Sequence, residues 1–184
     1  MKSLIIVANP KMESFSFAIV NRYKELAEAK NHEVEIIDLY RTTHQQPFFT
    51  YQDANNLGPN PEMEYFQEKI SQADELVFVF PYWWGSMPAI LKNFIDWNLS
   101  RGFAFKYVNS RPVGLLKGKT VKIFTTTGAP SLYYTLIGAN RRLKKMFQQQ
   151  IIEFCGMKLT ECNIYGGIDS SKTNSDAILN KVKV

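Results

Sequence analysis

Short apolar runs alternate with stretches of helical period from one end of the chain to the other. "SLIIVAN" (3–9) reads as a buried strand, and the following "SFSFAIVNRYKELAEAK" sets Phe15, Ile19, Tyr23 and Leu26 on one helical face. "EVEIIDLY" (33–40) is a second strand. Residues 41–61 show no clear period and read as a long loop, and a helix is predicted from Glu62 to Ala73. "ELVFVF" (75–80) is a third strand, followed by a helix over Ala89–Leu99 and a second long loop over 100–118. "KTVKIFTTT" (119–127) is a fourth strand, then come a loop and a helix over Asn140–Cys155. "LTECNIYGG" (159–167) is a fifth, and a short helix closes the chain.

Such alternation implies an α/β three-layer sandwich in one domain over 1–184: a parallel sheet with helices on both faces. For five strands the expected order is 2-1-3-4-5, the flavodoxin-like arrangement. Ligands in such sheets bind outside the carboxyl ends of the strands, at the switch point beside strand one. The loops after strands one, three and four should then carry unusual chemistry, and they do.

The first loop, "ANPKMESFSFA", places Ser14 and Ser16 where a helix begins. One of them is expected to cap it, and hydroxyls with free N–H groups at a helix start make an anion site; an ordinary capped helix is the alternative. The third loop, "PYWWGSMP", carries aromatic rings where the chain should be surfacing. Trp83 and Trp84 are suited to shielding a planar ring, with Gly85 allowing close backbone approach; core or interface packing is the rival role, chiefly for Trp83. The fourth, "TTTGAPSLYYTLIGAN", offers Thr126 and Thr127 hydroxyls, a flexible Gly128 and the phenols of Tyr133 and Tyr134, or else a plain polar turn. An anion site, an aromatic shelf and a polar rim at one switch point together describe a flavin site.

Composition narrows the alternatives. Hydrophobic residues are 45% and charged residues 21%, while aromatics stand at 14%. The first two values are those of a globular domain, and the high aromatic share suits the flavin reading. The net charge of +5 favours an anionic small ligand but is too diffuse to argue for nucleic acid. The apolar run at the start is short, no small-residue cleavage site follows it, and no stretch reaches membrane-spanning length. A cytoplasmic protein with reduced thiols and no membrane insertion is expected. Cys155 and Cys162 lack metal-ligand spacing, and His32 and His44 have no ligand partner, so no metal is expected. Cys155 falls on a helical face with Leu143, Phe147 and Ile151 and reads as a core thiol. His44 reads as a loop residue that could line a pocket, "PFFTY" (47–51) as a cover for a pocket or a dimer contact, and "RRLKK" (141–145) as a solvated face that could instead meet a phosphate of NADPH.

On "FPYWWGSMPAILKNFID", "GFAFKY", "LLKGKTVKIFTTTGAP" and "FCGM", the chain resembles the NAD(P)H:quinone reductase family over nearly its whole length. The resemblance implies a flavodoxin-like homodimer that passes a hydride from NAD(P)H through bound flavin to a quinone or similar acceptor. It implies that Asn9, Ser14, Phe15 and Ser16 form the phosphate and ribityl loop. Pro81, Tyr82, Trp83, Trp84 and Gly85 would lie under the isoalloxazine, with Thr126, Thr127, Gly128 and Ala129 at its polar edge. Phe105 and Tyr107 would enter the partner subunit's pocket. Some members place a tyrosine and, six residues on, a histidine beside the flavin; here Tyr134 matches the tyrosine, with Tyr133 as a competitor, and Asn140 stands at the histidine position. Relative to an FAD-binding member the chain ends early, so FMN is expected over FAD. The rival readings are a flavodoxin-like electron-transfer protein and a regulatory subunit of a transporter.

Overall fold

The computed structural model describes residues 1–53, 57–168 and 174–184. A parallel sheet contains β1 (Lys2–Val7), β2 (Glu33–Asp38), β3 (Glu75–Pro81), β6 (Thr120–Thr127) and β7 (Lys158–Gly166) in the order β2-β1-β3-β6-β7. With the strands of the sheet counted alone, this is the expected 2-1-3-4-5. β1 runs between its neighbours with Ser3 opposite both Val34 and Glu75.

Successive residues of a strand point to opposite faces, and the core divides accordingly. Leu4, Ile6, Leu76, Phe78 and Phe80 pack on one face against α2 (Pro61–Gln72), α3 (Ala89–Asn98) and Phe147. Ile5, Val7, Val77 and Val79 pack on the other against Ile19, Val20 and Tyr23 of α1 (Phe15–Glu28). Burial on both sides explains why β1 and β3 read as unbroken apolar runs, whereas the edge strand β2 is half exposed.

Two stretches differ from the sequence reading. Within 100–118, predicted as loop, lies a hairpin of β4 (Phe105–Val108) and β5 (Arg111–Gly114). Its two-residue turn, Asn109-Ser110, has φ of 50° and 62°. Positive φ at both turn residues is the primed geometry that matches strand twist. The helix predicted over Asn140–Cys155 is broken up: α4 (Ser131–Leu136) precedes it, α5 (Ala139–Lys145) forms its start, and Met146–Ile152 is wound as a π-helix. Gly138, in the left-handed region with φ of 70°, separates α4 from α5. The 41–61 loop is irregular where described; residues 54–56 lie outside the described residues. The closing helix, α6 (Ser175–Leu179), lies beside α1. Among the described residues no helix is long and apolar enough to cross a membrane.

Cys155, Leu143 and Phe147 are buried together as the helical face predicts. Both cysteines are free thiols, and burial pushes each up to about 11 from an ordinary value of 9.0. Between those values the unfolded chain has lost its thiol protons and the folded chain has not. Stability from this source is therefore complete below pH 9.0 and falls as pH rises towards about 11. Urea midpoints measured across that interval should drop, and a Cys155→Ala, Cys162→Ala double variant should drop less.

Candidate functional site

The sheet brings the three unusual loops to one edge. The amide of Ala8 donates to the Val79 carbonyl (2.9 Å), and that of Tyr82 to the Thr126 carbonyl (2.7 Å), so the chain leaves β1, β3 and β6 side by side.

In the first loop Asn9 is buried and donates through Nδ2 to Ser16 Oγ (3.0 Å), while its Oδ1 accepts from the Lys11 amide (3.0 Å). Ser14 occupies the N-cap position of α1 in extended conformation, and Phe15 is the first helical residue, half-buried against the α1-side core. The expected cap is not formed. Ser16 lies inside the helix and is engaged by Asn9, and the Ser14 hydroxyl is buried yet has no hydrogen-bond partner in the structure. A buried unpaired hydroxyl is disfavoured. Beside an uncapped helix start, whose first N–H groups lack intrahelical acceptors, it is suited to an anion.

The third loop begins where Pro81 ends β3 opposite Thr126. Tyr82 is buried. Trp83 and Ser86 exchange main-chain hydrogen bonds (3.0 and 2.9 Å), closing a turn on Trp84 (φ 49°) and Gly85 (φ 78°). Left-handed backbone is expected of glycine and unusual for a bulky side chain. The turn projects Trp84 fully into solvent (102% exposed) and leaves Trp83 at 44%. These rings are therefore not core residues.

In the fourth loop Thr126 and Thr127 are buried, and the Thr126 hydroxyl has no partner. The Thr127 carbonyl accepts from Ile168 (3.3 Å) and the Ala129 carbonyl from Gly167 (2.9 Å). In a trans peptide the next N–H points opposite to the carbonyl, so the Gly128 amide is directed away from β7. The left-handed glycine of this segment is Gly138, not Gly128. Tyr134 is half-buried and packs edge-on to Tyr82 (5.3 Å) and to the exposed Tyr133 (5.8 Å). Burial, then the neighbouring Tyr134, raises the Tyr82 pKa, with Arg142 opposing. Asn140 donates to Thr135 Oγ1 (3.1 Å), and its own Oδ1 is buried without a partner.

Phe105 and Tyr107 are not at this edge. They lie on the β4–β5 hairpin, where Phe105 packs against Phe154 (4.8 Å) and Tyr107 is half-exposed beneath Arg101 (5.5 Å). The hairpin borders a flank cleft of about 870 Å³ lined by Phe49, Met87, Ile95, Met146, Ile151 and Phe154 among others. The strand-end edge is the better candidate for chemistry despite the size of the cleft: it gathers partnerless hydroxyls and exposed aromatic rings, whereas the cleft is chiefly apolar.

One site-bordering residue escaped the sequence reading. Arg41, in the aperiodic loop after β2, reaches the first loop, and nothing periodic marks it. Arg142, from the "RRLKK" run read as a solvated face or a contact for NADPH phosphate, donates to the Ile137 carbonyl (2.8 Å) and lies near enough to act on Tyr82. His44 is engaged elsewhere, with Nδ1 2.6 Å from Glu62 Oε2 and its ring stacked on Tyr65 at 3.7 Å. Among the described residues no cluster of three or more His, Cys, Asp or Glu is placed to hold a metal.

A sequence-family profile described as "Flavodoxin-like fold" matches residues 1–183. A Haemophilus influenzae protein named "Uncharacterized NAD(P)H oxidoreductase" is 34% identical over 172 residues, covering 91% of this chain and 85% of that one. An "FMN-dependent NADH:quinone oxidoreductase" of Coprothermobacter proteolyticus is 34% identical over 143 residues, covering 71% and 70%. The crystal structure of Smu.1420 from Streptococcus mutans superposes with a TM-score of 0.85 at 33% identity, covering 99% of this chain and 96% of that one.

Proposed function

We propose, from the premise that this chain belongs to the flavodoxin-like NAD(P)H:quinone oxidoreductase family, that it is an FMN-dependent enzyme carrying reducing equivalents from NAD(P)H to a quinone or a similar small acceptor. Family membership makes it an oxidoreductase. The assignment of FMN and of the site residues is our reading, supported by the FMN-dependent relative and by one observation above all. A buried, partnerless Ser14 hydroxyl at an uncapped helix start shares a strand edge with a fully exposed Trp84.

The residues present suit the group. The first N–H groups of α1 and the Ser14 hydroxyl would take the phosphate, aided by the helix dipole, and Asn9 and Ser16 brace that loop. Trp84 and Trp83 would cover the ring and keep water from it, with Tyr82 behind them. The Thr126 hydroxyl, the Gly128 N–H and the phenol of Tyr134 would serve the polar edge, where donors directed at developing negative charge matter most. Asn140 can add a hydrogen bond there but cannot change charge near neutral pH. When bound, the flavin supplies the hydride chemistry, accepting from NAD(P)H and delivering to the acceptor.

A homodimer is part of this reading. Phe48 (81% exposed), Tyr107 and the apolar flank cleft leave hydrophobic surface open. That is more than an isolated chain favours. A two-fold partner would cover it and receive Phe105 and Tyr107 near its own flavin.

The test is chromatography of the chromophore released from purified protein, followed by anaerobic mixing of the holoprotein with NADH or NADPH. FMN, bleached rapidly by either donor, is expected. A colourless protein that takes up neither FMN nor FAD would overturn the assignment. Slow bleaching by both donors would instead favour an electron-transfer protein.

A further inference from the structure

Arg41 leaves the end of β2 and crosses to the loop after β1. Its Nη1 pairs with Asp38 Oδ2 (2.8 Å) and donates to the Asn9 carbonyl (3.3 Å), and its Nη2 donates to the Pro10 carbonyl. The guanidinium also stands over the Phe17 ring at 5.6 Å. One planar cation thus joins a strand-end carboxylate, two consecutive carbonyls of the loop and the first turn of α1. The Lys11 amide, on the far side of the Pro10 peptide, is held by Asn9 Oδ1. Both ends of that peptide plane are therefore tied. Carbonyls bound to Arg41 are not free to turn towards an anion at the α1 start, where they would repel it.

We infer that Arg41 is a positioning residue for the phosphate subsite, an inference that rests on the flavin reading above. It acts through shape and not through charge. Asp38 already neutralises the guanidinium, and the phosphate would meet the N–H groups and hydroxyl that the clasped loop presents. The fork geometry is what matters, because an ammonium is a single point and cannot span three oxygens in one plane.

The test compares FMN with riboflavin, which has the same ring and no phosphate, by fluorescence quenching on wild type, Arg41→Lys and Arg41→Ala. In both variants FMN affinity should fall on the order of tenfold to a hundredfold, the scale of losing charge-assisted hydrogen bonds. Riboflavin affinity should change by less than about threefold, so the wild-type preference for FMN shrinks. Equal losses for both ligands would make Arg41 a general structural clamp and overturn the inference, as would an unchanged preference. Full rescue by lysine would show that charge and not shape is at work, and would overturn it too. A wild type that binds neither ligand would sink the flavin reading together with this inference, whereas a wild type that prefers FMN and variants that keep the preference would sink the inference alone.

Discussion

Replacing Gly114 with alanine is expected to lower the unfolding midpoint by on the order of 10 °C. Gly114 ends β5, where the hairpin lies against the turn that follows the π-helix. A methyl built on it would fall 2.1 Å from the Gly156 nitrogen, 2.3 Å from the Cys155 carbonyl carbon and 2.5 Å from the Gly156 Cα. All three are backbone atoms, so no side chain can swing aside. The Leu116 amide donates to the Cys155 carbonyl (2.9 Å) just beyond, which pins the two segments together. Forced overpacking of this kind costs about 3 kcal/mol or more, and in a chain of this size each kcal/mol moves the midpoint by roughly 2–4 °C. The same displacement would shift Phe105 and Tyr107. If those rings reach a partner's flavin, quinone KM should rise in whatever folded fraction remains. A thermal melt matching wild type would show that the hairpin does not dock as described.

Trp84→Asn should separate stability from function in the opposite sense. Trp84 buries nothing, and its backbone is left-handed. A bulky residue there carries roughly 1–2 kcal/mol of strain, which asparagine relieves because its short polar side chain can hydrogen-bond locally, and Asn-Gly is the preferred pair for a primed two-residue turn. The protein without flavin should therefore gain about 1 kcal/mol, a rise of roughly 2–4 °C. Flavin affinity should nevertheless fall by about tenfold to a hundredfold, because an aromatic face stacked on a planar ring contributes roughly 1–3 kcal/mol. Differential scanning calorimetry and flavin titration on the same preparation would read both effects. Unchanged flavin affinity would remove Trp84 from the site. Lower stability would mean that the exposed indole has packing partners in solution, as it would across a dimer interface.

Much of the architecture was legible because it follows from local periodicity. A strand buried on both faces must be apolar throughout, as "SLIIVAN" and "ELVFVF" are, and an amphipathic helix must repeat near 3.6 residues. Alternation of the two leaves few connections for a parallel sheet, and the three loops at its switch point were marked by residues out of place in ordinary connections: two serines at a helix start, paired tryptophans and a run of threonines. The hairpin left a weaker trace. Asn109-Ser110 is a turn pair, but strands of four residues with exposed side chains carry no alternation strong enough to register.

What remained was decided by contacts between distant segments. Arg41 meets Pro10 across 31 positions of sequence, and Gly114 meets Gly156 because two segments happen to cross there. No window along the chain contains both partners. That Ser14 stands at the helix start without capping it follows from side-chain geometry around a folded loop and not from the identity of serine, which predicts the reverse. By itself the sequence determined which residues could serve each loop and which strands must be buried. Tertiary structure decided which hydroxyls were left without partners and which ring was pushed into solvent, because hydrogen-bond satisfaction and burial belong to a residue's surroundings in space.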